Sequence, residues 1–359
     1  MDPEGLEFQR ERHVLFLEMM MERLPSDYET QEINHLTLAY FAISGLDILG
    51  ALDRVDKDQI ASWVLSFQAH PRTKSDLDNG QFYGFHGSRS SQFTIIDSEV
   101  STHNCSHLAS TYCALAILNM IGYNLSNLNS EAILISMQKL QQPDGSFMPI
   151  HFGAETDLRF VYCAAAICFM LNNWTGMDKE KAKEYIVRCQ SYDGGFGLAP
   201  GLESHGGATY CAVAALQLMG FINADVSSKP AKSMVIDVPL LVEWSLQRQA
   251  VNGGFQGRAN KPSDTCYAFW VGGVLKILGF YHFLNKGALH RFLLSCQSKN
   301  MLPDLYHCYY SFAALSLLEE EGLKPLCVEL GITAINGHVW TTDVVIGPIR
   351  SSEAVHEKS

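Results

Sequence analysis

The sequence predicts an all-α fold in which six helical hairpins close into an α/α barrel of inner and outer helix rings. Three observations predict it. First, Gln, three residues and Gly-x-Phe recur, in "QQPDGSF" from Gln141, "QSYDGGF" from Gln190 and "QAVNGGF" from Gln249. The glutamines are 49 and 59 residues apart, a spacing that marks a repeat. Second, each copy follows an amphipathic stretch and precedes an almost wholly apolar one. Amphipathic helices lie at a surface, and helices apolar all round lie inside. Third, no β alternation of note interrupts the pattern. An open solenoid of the same hairpins is the rival arrangement.

The first hairpin pairs "FQRERHVLFLEMMMERLP" with "HLTLAYFAISGLDILG". The second pairs "DKDQIASWVLSFQ" with "HLASTYCALAILNMIG" across a long insert. The next three carry the motif: "EAILISMQKL" leads to "DLRFVYCAAAICFMLNN", "KEKAKEYIVRC" to "HGGATYCAVAALQLMG", and "DVPLLVEWSLQR" to "SDTCYAFWVGGVLKILG". Glycine supplies the left-handed backbone such turns need. The wider spacing absorbs the insert "ADVSSKPAKSMVID". The sixth hairpin, "NKGALHRFLLSCQ" with "DLYHCYYSFAALSLLEEEG", is damaged. Gln190 to Gly207 and Gln249 to Cys266 each span 17 residues, but Gln297 to His307 spans only 10. The glycine turn is missing there. Residues 1–337 read as one barrel domain, and 338–359 as a flexible tail, polar at its end.

Composition narrows the function. The 359 residues are 47% apolar, enough for one large core. The net charge of −12 argues against nucleic-acid binding, which needs basic faces. Apolar runs such as "YAFWVGGVLKILGFY" are too short or interrupted to span a bilayer. Ten cysteines include no C-x-x-C pair, and several sit in apolar runs as small hydrophobes. With no signal-peptide pattern in "MDPEGLEFQRERHVLF", a reduced, cytoplasmic protein is expected.

The inner helices run the same way, so their N-termini gather on one face. Unusual residues fall there: Asp157 and Arg159, His205 and Gly207, Asp264 and Cys266, and His307. Asp264, Cys266 and His307 form a candidate metal set. Zinc takes carboxylate, thiolate and imidazole, and a catalytic site keeps a fourth position open. Each also has a plain reading: Asp264 as a helix cap beside Ser263, Cys266 as a core cysteine, His307 as a satisfied core histidine. Arg258, Lys261 and His205, with Tyr267 next to Cys266, form a candidate anion site suited to a diphosphate. The plain alternative is a solvated basic turn. Tyr40, Phe41, Tyr162, Tyr210, Tyr267, Phe269, Trp270, Tyr306 and Tyr309 are either core filler or the wall of an apolar funnel.

Over roughly residues 7–322 the sequence resembles the β subunits of protein prenyltransferases, most closely those of the type I geranylgeranyl enzymes. The carrying segments are "HLTLAYFAISGLD", "TDLRFVYCAAAICFMLNNWTGMD", "GLESHGGATYCA", "NGGFQGRANKPSDTCYAFWVG" and "LYHCYY". The resemblance implies an α/α barrel paired with a separate helical α subunit. It implies transfer of a geranylgeranyl group from its diphosphate to the cysteine of C-terminal CaaX sequences, as on small GTPases. It implies zinc on Asp264, Cys266 and His307, with the substrate cysteine as thiolate on the open position. His205, Arg258, Lys261 and Tyr267 match diphosphate positions, with Lys261 and Tyr267 acting on the leaving group. Arg159 matches a position near the peptide's C-terminal end, and Tyr162 and Trp270 match lipid-pocket walls. Thr37 stands where the farnesyl enzyme has a bulky tryptophan, which deepens the barrel by one isoprene unit. Phe41 joins the same pocket. Tyr306, by contrast, is aromatic as in the farnesyl enzyme. In type I enzymes the missing turn carries a lysine that replaces the farnesyl enzyme's magnesium, so zinc without magnesium is expected. No residue takes that lysine's part here, and Lys299 is not assigned to it. A farnesyltransferase β subunit and an inactive, shortened β subunit that only binds α are the alternatives. A terpene cyclase would need an acidic cluster in the barrel, which the sequence lacks.

Overall fold

A computed structural model describes residues 7–91, 106–222, 235–297 and 303–333. Among the described residues twelve α-helices alternate as outer and inner partners. They are α1 (Arg10–Glu22) and α2 (His35–Ile48), α3 (Lys57–Leu65) and α4 (Leu108–Met120), α5 (Ser130–Gln138) and α6 (Leu158–Met170). Then come α7 (Lys179–Arg188) and α8 (Gly206–Leu218), α9 (Val238–Leu246) and α10 (Thr265–Ile277), α11 (Lys286–Ser295) and α12 (Leu305–Leu317). Each even-numbered helix packs on its two even-numbered neighbours, and α12 packs on α2, so the inner ring closes. The closed barrel, not the open solenoid, is the arrangement.

Burial follows the sequence pattern. In α8 every residue except Gly207 is buried, whereas α7 buries only Ala182, Tyr185 and Ile186. Those three share one helical face, and the charged remainder faces outward. Two-residue strands also occur: β1 (Phe255–Gln256) pairs with β2 (Ser263–Asp264), and β3 (Leu326–Cys327) with β4 (Ile332–Thr333). They close a loop and shape the chain after α12, and leave the class all-α.

The repeat motif has a physical cause. Its Gln and Phe face each other across an antiparallel bridge in Gln141–Phe147, Gln190–Phe196 and Gln249–Phe255, and in the degenerate copy Gln68–Phe85. The glutamine side chain then pairs both ways with the cap of the next outer helix. Gln190 Nε2 donates to the Asp237 carbonyl at 3.1 Å, and the Asp237 amide donates to Gln190 Oε1 at 3.0 Å. Gln141 does the same with Asp178, and Gln249 with Asn285. Only an amide side chain offers a donor and an acceptor together at that reach. The motif glycine is fixed twice over. Gly194 has φ +92°, and a Cβ there would lie 2.4 Å from the Leu240 carbonyl carbon of the next outer helix.

The sixth repeat keeps the clamp without the turn. Gln297 Oε1 accepts from the Gln9 amide at 2.9 Å, and its Nε2 donates to the Glu7 carbonyl at 3.2 Å. Gln9 precedes α1, so the last glutamine ties the sixth repeat to the first and seals the outer ring. Lys299 and the tail 338–359 lie outside the described residues.

One end of the barrel is filled by the chain after β3. Each inner helix except α10 places a tyrosine in its second turn, at Tyr40, Tyr112, Tyr162, Tyr210 and Tyr309. Tyr210 donates to the Val328 carbonyl at 2.7 Å, Tyr162 to Glu329 at 3.1 Å and Tyr112 to Leu330 at 2.6 Å. Tyr40 donates to the Gly331 carbonyl at 3.0 Å, and Tyr309 reaches the same oxygen. Successive carbonyls thus meet successive helices around the ring. At the same position α10 carries Phe269, and its Gly273 leaves room for Val328. Tyr40, Tyr162, Tyr210 and Tyr309, read as core filler or funnel wall, thus have a further task that they share with Tyr112: their hydroxyls satisfy the carbonyls of residues 328–331.

Candidate metal and anion site

The opposite end carries the chemistry, because inner helices cap themselves with polar residues there. His107, Asp157, His205, Asp264 and Asp304 each accept a backbone N–H of the helix that follows. The cap reading of Asp264 therefore holds, and its position also makes it a ligand candidate.

Asp264, Cys266 and His307 offer ligand atoms that all lie within 4.8 Å of one another. His307 Nε2 is 3.3 Å from Asp264 Oδ1. Its Nδ1 is 2.8 Å from Asp304 Oδ2. The imidazole is thereby aimed, with Nδ1–H held by a carboxylate and Nε2 turned to the cluster. Oxygen, sulfur and nitrogen donors at this separation fit a tetrahedral zinc with one position left. His307 is pushed up to about 10, first by its hydrogen bond to Asp304 and then by that to Cys266. Burial raises the Cys266 thiol, against the pull of His307. The shortened sixth repeat does not carry His307 away. Seven residues separate Gln297 from Asp304, against fifteen from Gln249 to Asp264. The helix nevertheless begins directly after its cap Asp304, at Leu305, as α10 begins directly after Asp264.

Beside the cluster lie the cationic residues. His205 Nδ1 accepts from the Gly207 amide, so a neutral ring carries its proton on Nε2, 3.2 Å from Tyr267 Oη. Burial and then Arg258 hold His205 below the usual imidazole range. Arg258 pairs with Glu203 at 3.2 Å, a partner the sequence did not announce. Lys261 is exposed on the same loop. The Gly206 amide donates to the Gly257 carbonyl at 2.8 Å and ties this loop to the start of α8.

The aromatic residues divide. Trp270 Nε1 donates to Tyr306 Oη at 3.2 Å, and Phe41 meets Tyr306 edge-on at 5.6 Å. Tyr310, absent from the expected set, packs against Trp270 at a tilt of 42°, ring centroids 4.4 Å apart. Thr37 is half-buried, with Oγ1 3.8 Å from Cys113 Sγ. Tyr162 points its hydroxyl to the filled end instead. Arg159 folds onto Asp157, with Nε 3.1 Å from both carboxylate oxygens, and also reaches Glu155. It stands two inner helices from the metal cluster. Asp304 is the residue that sequence reading missed; a carboxylate three residues before a candidate histidine, at a helix start, was the available signal.

The prenyltransferase alpha-alpha toroid domain family matches residues 8–332. The geranylgeranyl transferase type-1 subunit beta of Arabidopsis thaliana is 64% identical over 333 residues, which cover 90% of this chain and 89% of that protein. The same-named subunit of Dictyostelium discoideum is 34% identical over 85% of this chain and 90% of its own length. The solved Candida albicans protein geranylgeranyltransferase-I complexed with GGPP superposes with a TM-score of 0.77 over 91% of this chain and 96% of that one. At 23% identity that last likeness is one of fold. Among the described residues no helix is long and apolar enough to cross a membrane. The chain belongs to the prenyltransferase α/α-toroid family, among the β subunits of type-1 geranylgeranyl transferases.

Proposed function

We propose that this chain is the catalytic β subunit of a heterodimer that transfers a geranylgeranyl group from geranylgeranyl diphosphate to the cysteine of C-terminal CaaX proteins. The observation that carries the reading is the shared rim: three candidate ligand side chains stand next to a loop that carries Arg258 and Lys261 and to the helix start that carries Tyr267. A nucleophile held by the first group and a diphosphate held by the second would meet at adjacent helix starts.

Asp264, Cys266 and His307 would hold zinc, whose chemistry is to keep the substrate sulfur as a thiolate at neutral pH. The chain's own residues do the rest. The thiol proton leaves to solvent, the sulfur forms a bond to C1 of the lipid, and the C1–oxygen bond breaks to release diphosphate. Arg258 offers a planar fork of donors, Lys261 a point charge, and Tyr267 a hydroxyl already met by His205. Such preset donors stabilise charge that grows on the leaving oxygen. Phe41, Trp270, Tyr306 and Tyr310 give the lipid an apolar wall, and Thr37 leaves depth for the longer chain. Arg159 faces the peptide end. The α subunit is the expected partner, and small GTPases with CaaX ends the expected substrates. The free, mostly buried cysteines support a reduced, cytoplasmic setting.

Competition between geranylgeranyl and farnesyl diphosphates for one CaaX peptide tests this reading. The heterodimer is expected to prefer the longer lipid. Preference for farnesyl would favour the alternative that the aromatic Tyr306 represents. Absence of any product would favour a β subunit that binds α without catalysis.

A further inference from the structure

Arg248 occupies a place that other repeats give to apolar side chains. It immediately precedes the motif glutamine of the fifth repeat, where Phe67, Leu140 and Cys189 stand in the second, third and fourth. All three are buried, and Arg248 is too, with 7% of its surface exposed. Its Nε and Nη1 have no hydrogen-bond partner among the described residues. Burying such donors is costly, and a repeat that elsewhere uses Phe or Leu has no packing need for them. A role beyond packing is called for.

The surroundings show which role. The guanidinium lies over Trp244, 5.2 Å from the ring centroid. Asp193 is the carboxylate whose charge acts on it, against the effect of burial. Asp193 Oδ1 in turn accepts from Ser204 Oγ at 2.5 Å and from the Gly195 amide at 3.3 Å. These groups are packed in contact, since a Cβ on Gly195 would lie 2.6 Å from Ser204 Cβ and 2.7 Å from Trp244 Cε2. Ser204 sits between Glu203, which pairs with Arg258, and His205, which meets Tyr267. The Arg248 carbonyl accepts from the Gln256 amide at 2.9 Å, but Phe67, Leu140 and Cys189 make the same backbone bond in their repeats, so that bond does not depend on the side chain. The Arg248 side chain touches the support of segment 203–207, and through it bears on the 256–261 loop, which Gly206–Gly257 and Glu203–Arg258 tie to that segment.

We propose that Arg248 is a positioning residue for the diphosphate: a buried cation that locks segments 203–207 and 256–261 into one unit from beneath and adds positive potential there. It deepens, and rests on, the reading of that site as a diphosphate cradle. The charge acts where screening by solvent is weak, so it favours a bound anion more than a surface lysine would.

The test uses the full heterodimer with Arg248→Met and Arg248→Lys. Two readouts are taken: hydrogen exchange of the ligand-free protein, and KM against kcat with geranylgeranyl diphosphate. Arg248→Met fits an apolar slot, so the thermal midpoint is expected to hold. Exchange is expected to rise in 203–207 and 256–261 and nowhere else in the barrel. KM for the lipid diphosphate is expected to rise about tenfold, the scale of one lost charge-assisted contact, with kcat and the peptide KM little changed. Arg248→Lys keeps the charge without the fork, gives a smaller effect of the same kind, and decides the matter where the Met variant does not assemble. Unchanged exchange in both segments overturns the inference. So does a parallel loss of kcat, peptide affinity and thermal midpoint, the mark of a purely structural residue. If the wild type transfers no lipid while the two segments still loosen in the variants, the proposed function fails and the positioning role stands.

Discussion

Asp304 Oδ2 lies 2.8 Å from His307 Nδ1, while the far nitrogen of the same ring faces Asp264 at 3.3 Å. One helix start thus supplies an imidazole and the carboxylate that aims it. Groups that orient a metal-binding histidine commonly control affinity by roughly 10–100-fold. Asp304→Ala is expected to weaken zinc binding by about that factor. Asp304→Asn should lose less than the Ala variant, because its single amide oxygen can still accept either from Nδ1–H or from the His307 amide, though not from both as the two carboxylate oxygens do. Chelator competition on the heterodimer measures both. Equal affinity in the Ala variant and the wild type would remove Asp304 from the account.

His107 gives the fold a pH dependence. Its Nδ1 accepts from the Ala109 amide, and burial, then Arg159, depress it to about 4. The unfolded imidazole titrates near 6.5. The unfolded chain therefore binds the extra proton first. Stability from this group is complete above about pH 6.5 and declines as pH falls toward 4, by about 1.4 kcal/mol per unit at most. His107→Asn keeps a capping oxygen and removes the titration. Denaturant midpoints at pH 7 and pH 5 should converge in that variant relative to the wild type. An equal drop in both would assign the effect to other groups.

The clamp glutamines are predicted to be intolerant of even small changes. Gln249→Glu removes the donor that meets the Asn285 carbonyl and faces it with a carboxylate instead. A loss of roughly 1–3 kcal/mol is expected. Glu at the neighbouring exposed Val251 should cost almost nothing. Urea unfolding compares the two, and similar midpoints would contradict the clamp.

The filled end makes a sharper prediction. Tyr112→Phe removes one oxygen and leaves the buried Leu330 carbonyl without its donor. A cost of about 1–3 kcal/mol is expected, with faster amide exchange across residues 328–331. Phe269→Tyr, at the one ring position without a hydroxyl, brings no matching gain. A silent Tyr112→Phe would mean the segment is held by side-chain packing alone.

Thr37→Trp should shorten the lipid site. Thr37 is half-buried on α2, beside Cys113 of α4, and an indole there would fill the space above the floor. The ratio of kcat/KM for geranylgeranyl against farnesyl diphosphate is expected to fall by at least about tenfold, the scale set by loss of one apolar pocket subunit. An unchanged ratio would place the chain-length determinant elsewhere.

The barrel was legible because its repeat is written in side chains with fixed jobs. Gln141, Gln190 and Gln249 mark clamps, and the glycines after them mark close approaches, so the motif and the packing are one fact. The closing clamp by Gln297 was not legible, since its partners at Glu7 and Gln9 belong to no motif. Asp264, Cys266 and His307 stood out as polar residues at apolar helix starts. The tyrosines misled in part. Tyr40, Tyr162, Tyr210 and Tyr309 read as filler or funnel wall from their neighbours and Tyr112 drew no reading, and only the three-dimensional path of residues 328–331 reveals where the hydroxyls go. Arg248 looked like any basic residue near a helix end, where solvent exposure is the usual state; its burial comes from the adjacent repeat.

The central claim is that the shortened sixth repeat still delivers His307 to a working metal site. Zinc content of the purified heterodimer tests it most directly, measured on wild type, Cys266→Ser and His307→Ala. The account predicts close to one zinc per wild-type heterodimer and marked loss in both variants. Wild-type protein that folds, binds its α subunit and carries no zinc would contradict it.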